Sequence, residues 1–213
     1  MDITWLGHSC FRIKGKDAVV LTDPFNPSLG FSLSKQKADI VTISHFHPGH
    51  SFLDAVENYS KAIKGPGEYE LKGVFITGIS SFHDSSNGTE RGKNTVYILE
   101  VDNITLCHLG DIGHKLSSEM EEEIGEIAIL FVPVGGVSTI DGSVAADIVK
   151  ALAPKIVIPM HYKTPALAKE LDPLDIFLKK LGSKEVSSQP RLSVNKATLP
   201  LSTQVVVLTS PHQ

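Results

Sequence analysis

The chain has 213 residues, 41% of them hydrophobic, with 20 basic against 24 acidic side chains and a net charge of -4. That length fills one core of ordinary size and falls short of two, so a single domain over residues 1–213 is expected. The acidic balance, with no basic block, argues against a nucleic-acid surface, and no window approaches the roughly 20 apolar residues that span a bilayer. Met1-Asp2-Ile3-Thr4-Trp5 lacks the basic and apolar segments of a signal peptide, which points to a cytoplasmic protein. Cys10 and Cys107 sit in apolar runs at a spacing that fits no zinc or redox motif, so buried, reduced thiols are expected.

Short β-branched runs predict strands at Ile3 to Leu6, Cys10 to Ile13, Val19 to Thr22 and Ile40 to Ile43, with Lys14-Gly15-Lys16-Asp17 as a hairpin turn. Gly65-Pro66-Gly67 breaks the chain before a strand pair from Tyr69 to Ile79 that Gly73 interrupts. The polar stretch His83 to Asn94 reads as a mobile loop. Strands follow at Val96 to Val101 and Ile104 to Cys107, joined by an Asp102-Asn103 turn. The second half alternates: a helix at Ser117 to Glu123, a strand at Ile127 to Pro133, a helix at Ser143 to Leu152 capped by Ser143, and a strand at Ile156 to Pro159. Pro165 to Lys180 predicts one or two helices broken near Asp172-Pro173, and Gln204 to Leu208 a last strand.

His45, His47 and His50 crowd into the turn that follows the Ile40 to Ile43 strand. Neutral imidazole is the commonest zinc ligand, and a turn lets three rings converge where a regular strand would not. Alone, such a trio also has the plainer reading of surface histidines in a polar loop. It is repeated, however: His83, Asp111 and His161 each follow another predicted strand. Ligands placed at successive strand ends are how open α/β sheets assemble a site from distant sequence.

These residues, with Trp5-Leu6-Gly7-His8-Ser9, Thr22-Asp23-Pro24, Leu109-Gly110-Asp111 and Pro159-Met160-His161-Tyr162, resemble the metallo-β-lactamase superfamily of metal-dependent hydrolases over nearly the whole chain. The resemblance is to its small single-domain branch, which includes ascorbate-6-phosphate lactonase-like proteins. It implies an α/β fold (α+β in some schemes), a four-layer αββα sandwich. It also implies one metal site of His45, His47 and His83, a bridging Asp111, and a second site of His50 and His161. Asp111 and His161, with His8 from a first loop that the family places near the centre, are the implied catalytic residues. Zinc is the first expectation, as one or two ions, and manganese or iron accepts the same donors.

The superfamily motif is His-x-His-x-Asp-His, and Gly49 stands where its aspartate belongs. Glycine neither binds a metal nor accepts a proton. The implied activity, hydrolysis of a small ester, lactone or phosphodiester by metal-activated water, is therefore expected to be impaired. The open alternatives are a single ion, substitution by Asp84, Asp23 or Glu68, or a non-catalytic metal- or ligand-binding protein on the same fold. Nuclease activity ranks lower, since no stretch is long enough for an inserted clamping domain.

Arg91 and Asn94 in the loop after His83, and Lys163 two residues beyond His161, are candidates for holding an anionic substrate group, against the plainer reading of solvated loop residues. His108 reads as a core histidine or one behind the ligands, His114 as a loop residue near the pocket, and His212 as tail. Val134-Gly135-Gly136-Val137 is either a tight turn or a set of amides facing substrate oxygen. A homo-oligomer is the default expectation for a chain of this kind.

Overall fold

The computed structural model describes residues 1–31, 33–183, 186 and 188–210; His212 lies outside them. The first sheet contains β1 (Asp2–Gly7), β2 (Cys10–Lys14), β3 (Val19–Thr22), β4 (Ile40–Thr42) and β5 (Lys61–Ile63) in that spatial order, with Leu192–Ser193 on the far side of β1. β1, β2 and β3 are antiparallel neighbours, whereas β3, β4 and β5 run parallel. Side chains alternate across a strand, so each face of the sheet collects its own apolar set. Ile3, Trp5, Phe11, Ile13, Val20 and Ile40 enter the main core, while Leu6, Cys10, Leu21 and Val41 enter a second cluster.

The second sheet contains β6 (Gly67–Leu71), β7 (Val74–Phe82), β8 (Lys93–Val101), β9 (Ile104–His108), β10 (Ile129–Pro133) and β11 (Ile156–Met160), again in spatial order, with Gln204–Val205 beyond β11. Pairing is antiparallel from β6 to β9 and parallel from β9 onward. Phe131 of β10 meets Phe11 of β2 at 4.4 Å between ring centres, joining the two sheets face to face. Such an aromatic pair contributes about 0.5–1.5 kcal/mol beyond its area. Both cysteines are buried and free.

Among the described residues the α-helices are α1 (Ser118–Ile124), α2 (Gly142–Leu152) and α3 (Leu174–Leu181). α2 packs on α3 and on β10. Its N-cap is Asp141, whose carboxylate accepts from the amides of Ser143 and Val144 at 2.9 Å, so the cap lies two residues before the expected Ser143. No described helix is long and apolar enough to cross a membrane.

The layers are those of the sandwich, and the outer layer over the first sheet is irregular. Phe25, Phe31, Leu33, Ala55, Val56, Leu167 and Leu171 cover Leu21 and Val41 there, from loops and the short 3-10 turns Pro27–Leu29 and Leu53–Ala55. The helix expected from Pro165 is accordingly confined to Leu174–Leu181. The expected last strand is two short pieces in different sheets, Gln204–Val205 on β11 and Val207–Leu208 against Ser188–Gln189.

Candidate metal centre

β1, β3 and β4 in one sheet, and β7, β9 and β11 in the other, end at one edge of the sandwich, and each strand runs out into a polar segment. After β3 comes Asp23; after β4, the turn from Ser44 to His50, closed by donation from the His50 amide to the His47 carbonyl at 2.9 Å. His83 lies just past β7, and its amide donates to Gly92 O at 3.0 Å. Asp111 lies just past β9, and its amide donates to Asn94 Oδ1 at 3.0 Å. Gly110 before it has φ +59, and a Cβ there would run into Asn94 Oδ1 and Ser44.

The ends of β1 and β11 lie against each other. The His8 carbonyl accepts from the Trp5 indole at 2.9 Å and from the His161 amide at 3.2 Å. Both histidines have left-handed backbones, with φ 52 at His8 and 53 at His161. A Cβ on Gly135 would collide with the His161 carbonyl, so only glycine lets that loop approach.

The imidazoles converge on one oxygen, Asp111 Oδ2. His50 Nε2 is 3.1 Å from it, His161 Nε2 3.2 Å, His83 Nε2 3.6 Å and His45 Nε2 3.9 Å. His45 lies 4.6 Å from both His47 and His83 between ring centres. On the other side His8 is 4.1 Å from His161 and 4.8 Å from His50. One ligand atom from each of His45, His47 and His83 lies within 4.8 Å of the others, as in the sets His45, His50, Asp111 and His8, His50, His161. All except His47 are buried.

Hydrogen bonds behind the rings fix which nitrogen faces inward. Ser44 Oγ donates to Asp23 Oδ2 at 2.6 Å, so toward His45 Nδ1, 2.9 Å away, it can only accept, and the His45 Nε2 lone pair points into the centre. His50 Nδ1 donates to Asp23 Oδ2 at 3.0 Å, which turns its Nε2 toward Asp111. The Ser44 amide holds the other oxygen of Asp23 at 2.7 Å. Burial, then the nearby His50, keeps His45 neutral down to about 2, and burial likewise keeps His83 neutral down to about 4. His50 is the exception. Burial opposes its charge, but Asp111, followed by Asp23, raises its pKa to about 10. Burial also works against ionised Asp111, yet His161 and His50 hold it well below the usual carboxylate range.

Ligands about 2.0–2.1 Å from a tetrahedral zinc stand about 3.3 Å apart, so the spacings around Asp111 Oδ2 suit a metal. His45 Nε2 and His161 Nδ1 are buried without a hydrogen-bond partner. Such groups are costly unless something satisfies them, and a cation would.

The beta-lactamase superfamily domain matches residues 2–161. The chain belongs to the metallo-β-lactamase superfamily. A UPF0173 metal-dependent hydrolase of Thermococcus kodakarensis is 30% identical over 200 residues, 80% of this chain and 88% of the relative. One from Lawsonia intracellularis is 31% identical over 227 residues, covering 90% and 97%. The crystal structure of a Thermotoga maritima protein, assigned as a Zn-dependent hydrolase of this superfamily, superposes with TM-score 0.80 at 40% identity and covers 97% of each chain. Igni18, a metallo hydrolase of Ignicoccus hospitalis, shares the fold at 22% identity and TM-score 0.67, covering 100% of this chain and 96% of that one.

Within this superfamily member, none of the three carboxylates considered in place of the motif aspartate belongs to a group of side chains that could hold a metal. Asp23 is engaged with Ser44 and His50. Asp84 accepts from the amides of Ser86, Gly88, Glu90 and Arg91, which winds the polar loop expected to be mobile around one carboxylate. Glu68 is exposed on β6.

Two of the residues expected to bind substrate serve the fold. Asn94 is buried, and its amide donates to Ser81 Oγ at 2.8 Å and Leu109 O at 2.9 Å while its oxygen holds the Asp111 amide. Lys163 spends its ammonium on Leu167 O, Lys169 O and Glu170. Arg91 is exposed and donates to Val137 O at 3.1 Å. The residue missed by sequence reading is Lys169, whose Nζ donates to Ser138 Oγ at 2.9 Å. Partial desolvation, then His50, lowers the pKa of His47, and the positive charges of Lys169 and Arg91 add to the effect. His108 is fully buried, donates from Nε2 to Ser9 O at 3.0 Å and accepts from the Gly110 amide. Both nitrogens of His114 are likewise spent on backbone. The turn lies just after the Val134 to Val137 segment, closed by the Thr139 amide donating to Gly136 O at 3.1 Å, while the Val134 and Gly136 amides donate to Met160 O and Ile140 O.

Proposed function

We propose that this superfamily member hydrolyses a small ester, lactone or phosphodiester bearing an anionic group, with zinc as the resident metal and manganese or iron as metals the same donors accept. The observation that carries the reading is the convergence of four imidazole Nε2 atoms on one buried carboxylate oxygen. The relatives named metal-dependent hydrolases support it.

His45, His47, His83 and Asp111 would hold a divalent ion, which when bound would acidify water toward about pKa 7 and polarise the scissile group. The chain does the rest. Asp23 and Ser44 lock the rings of His50 and His45 in the ligating tautomer, so no reorganisation is needed when the charge develops. Asn94 fixes Asp111 through its amide. Exposed His47 leaves one side of the centre open to substrate. Lys169 and Arg91, both bearing on His47, attract the anionic group to that side.

The test is to strip the protein with chelator, reload it with zinc, manganese or iron(II), and assay ester, lactone and phosphodiester panels with and without an anionic substituent. Turnover should return with metal and favour the anionic members. Metal uptake with no turnover on any panel would instead assign a metal- or ligand-binding protein on this fold.

A further inference from the structure

Gly49 has an ordinary backbone, so its missing side chain is not forced by conformation. A Cβ built there would meet His8 Nε2 at 3.2 Å, His8 Cδ2 at 3.3 Å and Leu29 Cδ1 at 3.3 Å, tighter than most real Cβ contacts. The space into which a residue at 49 would project is bordered by the His8 ring. That ring comes from another segment, the β1–β2 turn, and is 4% exposed.

We infer that His8 is a metal ligand: with His50 and His161 it holds a second ion beside Asp111, in place of the carboxylate that Gly49 lacks. Three independent observations carry this. One ligand atom from each of His8, His50 and His161 lies within 4.8 Å of the others. His8 Nδ1 and His161 Nδ1 are buried without a partner. Both residues sit in left-handed backbone, φ 52 and 53, joined by a hydrogen bond from the His161 amide to the His8 carbonyl. Strained backbone of this kind persists where surrounding structure holds it for a purpose. The exchange of a carboxylate for an imidazole leaves the centre one unit more positive, which favours an anionic substrate.

This inference rests on the metal centre proposed above, and its test reads metal rather than turnover. Chelator-treated protein is titrated with Zn2+ and with Co2+, following bound metal per chain and, for Co2+, the visible spectrum. The wild type should take up two equivalents. His8→Asn, which keeps a residue type tolerant of left-handed backbone, should take up one and lose part of the Co2+ spectrum. The double variant His8→Asn with Gly49→Asp should recover the second equivalent. Gly49→Ala, which only pushes a methyl against His8, should weaken the second equivalent about ten-fold and decides the matter if His8→Asn fails to fold. Two full equivalents in His8→Asn, an unchanged second equivalent in Gly49→Ala, or a wild type that binds one ion and gains another from Gly49→Asp alone would overturn the inference. Two equivalents without turnover on any panel would sink the hydrolase reading and leave this one standing.

Discussion

His45, His47 and His83 form the open side of the centre, and His8, His50 and His161 the closed side. The open trio comes from two segments, and its His47 is exposed, with Phe46 beside it 70% exposed. The closed trio comes from three segments, is buried throughout, and includes two left-handed residues. The difference assigns the work. The open side is where a substrate can arrive, whereas the closed side must be assembled by the fold itself, and its tolerance for change is correspondingly small.

The change that breaks the comparison altogether is Asp111→Ala, since its Oδ2 faces histidines of both trios. Metal content should fall to near zero, and activity by orders of magnitude, as read by elemental analysis and initial rates. Ser44→Ala should bear mainly on the open side. It removes the acceptor that sets the His45 tautomer, and loss of such a partner typically costs about 10- to 100-fold in metal affinity. Competition titration against a chromophoric chelator would measure this, and an unchanged affinity would show that His45 is oriented by its packing alone.

Metal-free protein sharpens the contrast through pH. His83, on the open side, has a folded pKa depressed from 6.5 to about 4, so below 6.5 the unfolded chain binds the extra proton and stability drops as the pH drops. His50, on the closed side, is raised from 6.5 to about 10, so its contribution is complete below 6.5 and is lost as pH rises through 10. Thermal unfolding of the stripped protein should therefore peak near pH 6.5. The alkaline fall should flatten on reloading, because the metal replaces the proton on His50. The smallest effect expected is that of Lys169→Ala. It should raise KM about five-fold for anionic substrates with kcat nearly unchanged, and leave neutral substrates alone, the scale of an exposed charge interaction.

The candidate ligands are legible in the sequence because their segments follow strand ends, and strand ends are set by local sequence. His83, Asp111 and His161 can be found from the apolar runs before them. Asn94 and Lys163 look like free loop residues because sequence displays polarity without displaying where hydrogen bonds go; Ser81, Leu109 and Asp111 engage the first, and Leu167, Lys169 and Glu170 the second. Lys169 escapes notice because its segment reads as helix, whereas Leu167 and Leu171 pull it down as an irregular cover on the first sheet. Asp141 is hidden as a cap for a related reason, since Ser143 is an equally good capping type two residues later. Gly49 is legible as a loss, but the neighbours of the gap are not. His8 lies 41 positions earlier, and only the convergence of β1 and β4 at one edge brings the two together.

Asp23 lies behind the rings, yet like Asp111 it joins the two trios, directly through His50 and by way of Ser44 through His45. An ion on His45 makes its Nδ1–H a stronger donor to Ser44, which in turn donates more strongly to Asp23. Asp23 then has less charge to offer His50, whose ring becomes a poorer ligand. Filling the open side thus lowers affinity on the closed side, and by reciprocity the reverse holds. Loading should proceed in two separable steps, an anticooperativity wired through a single buried carboxylate.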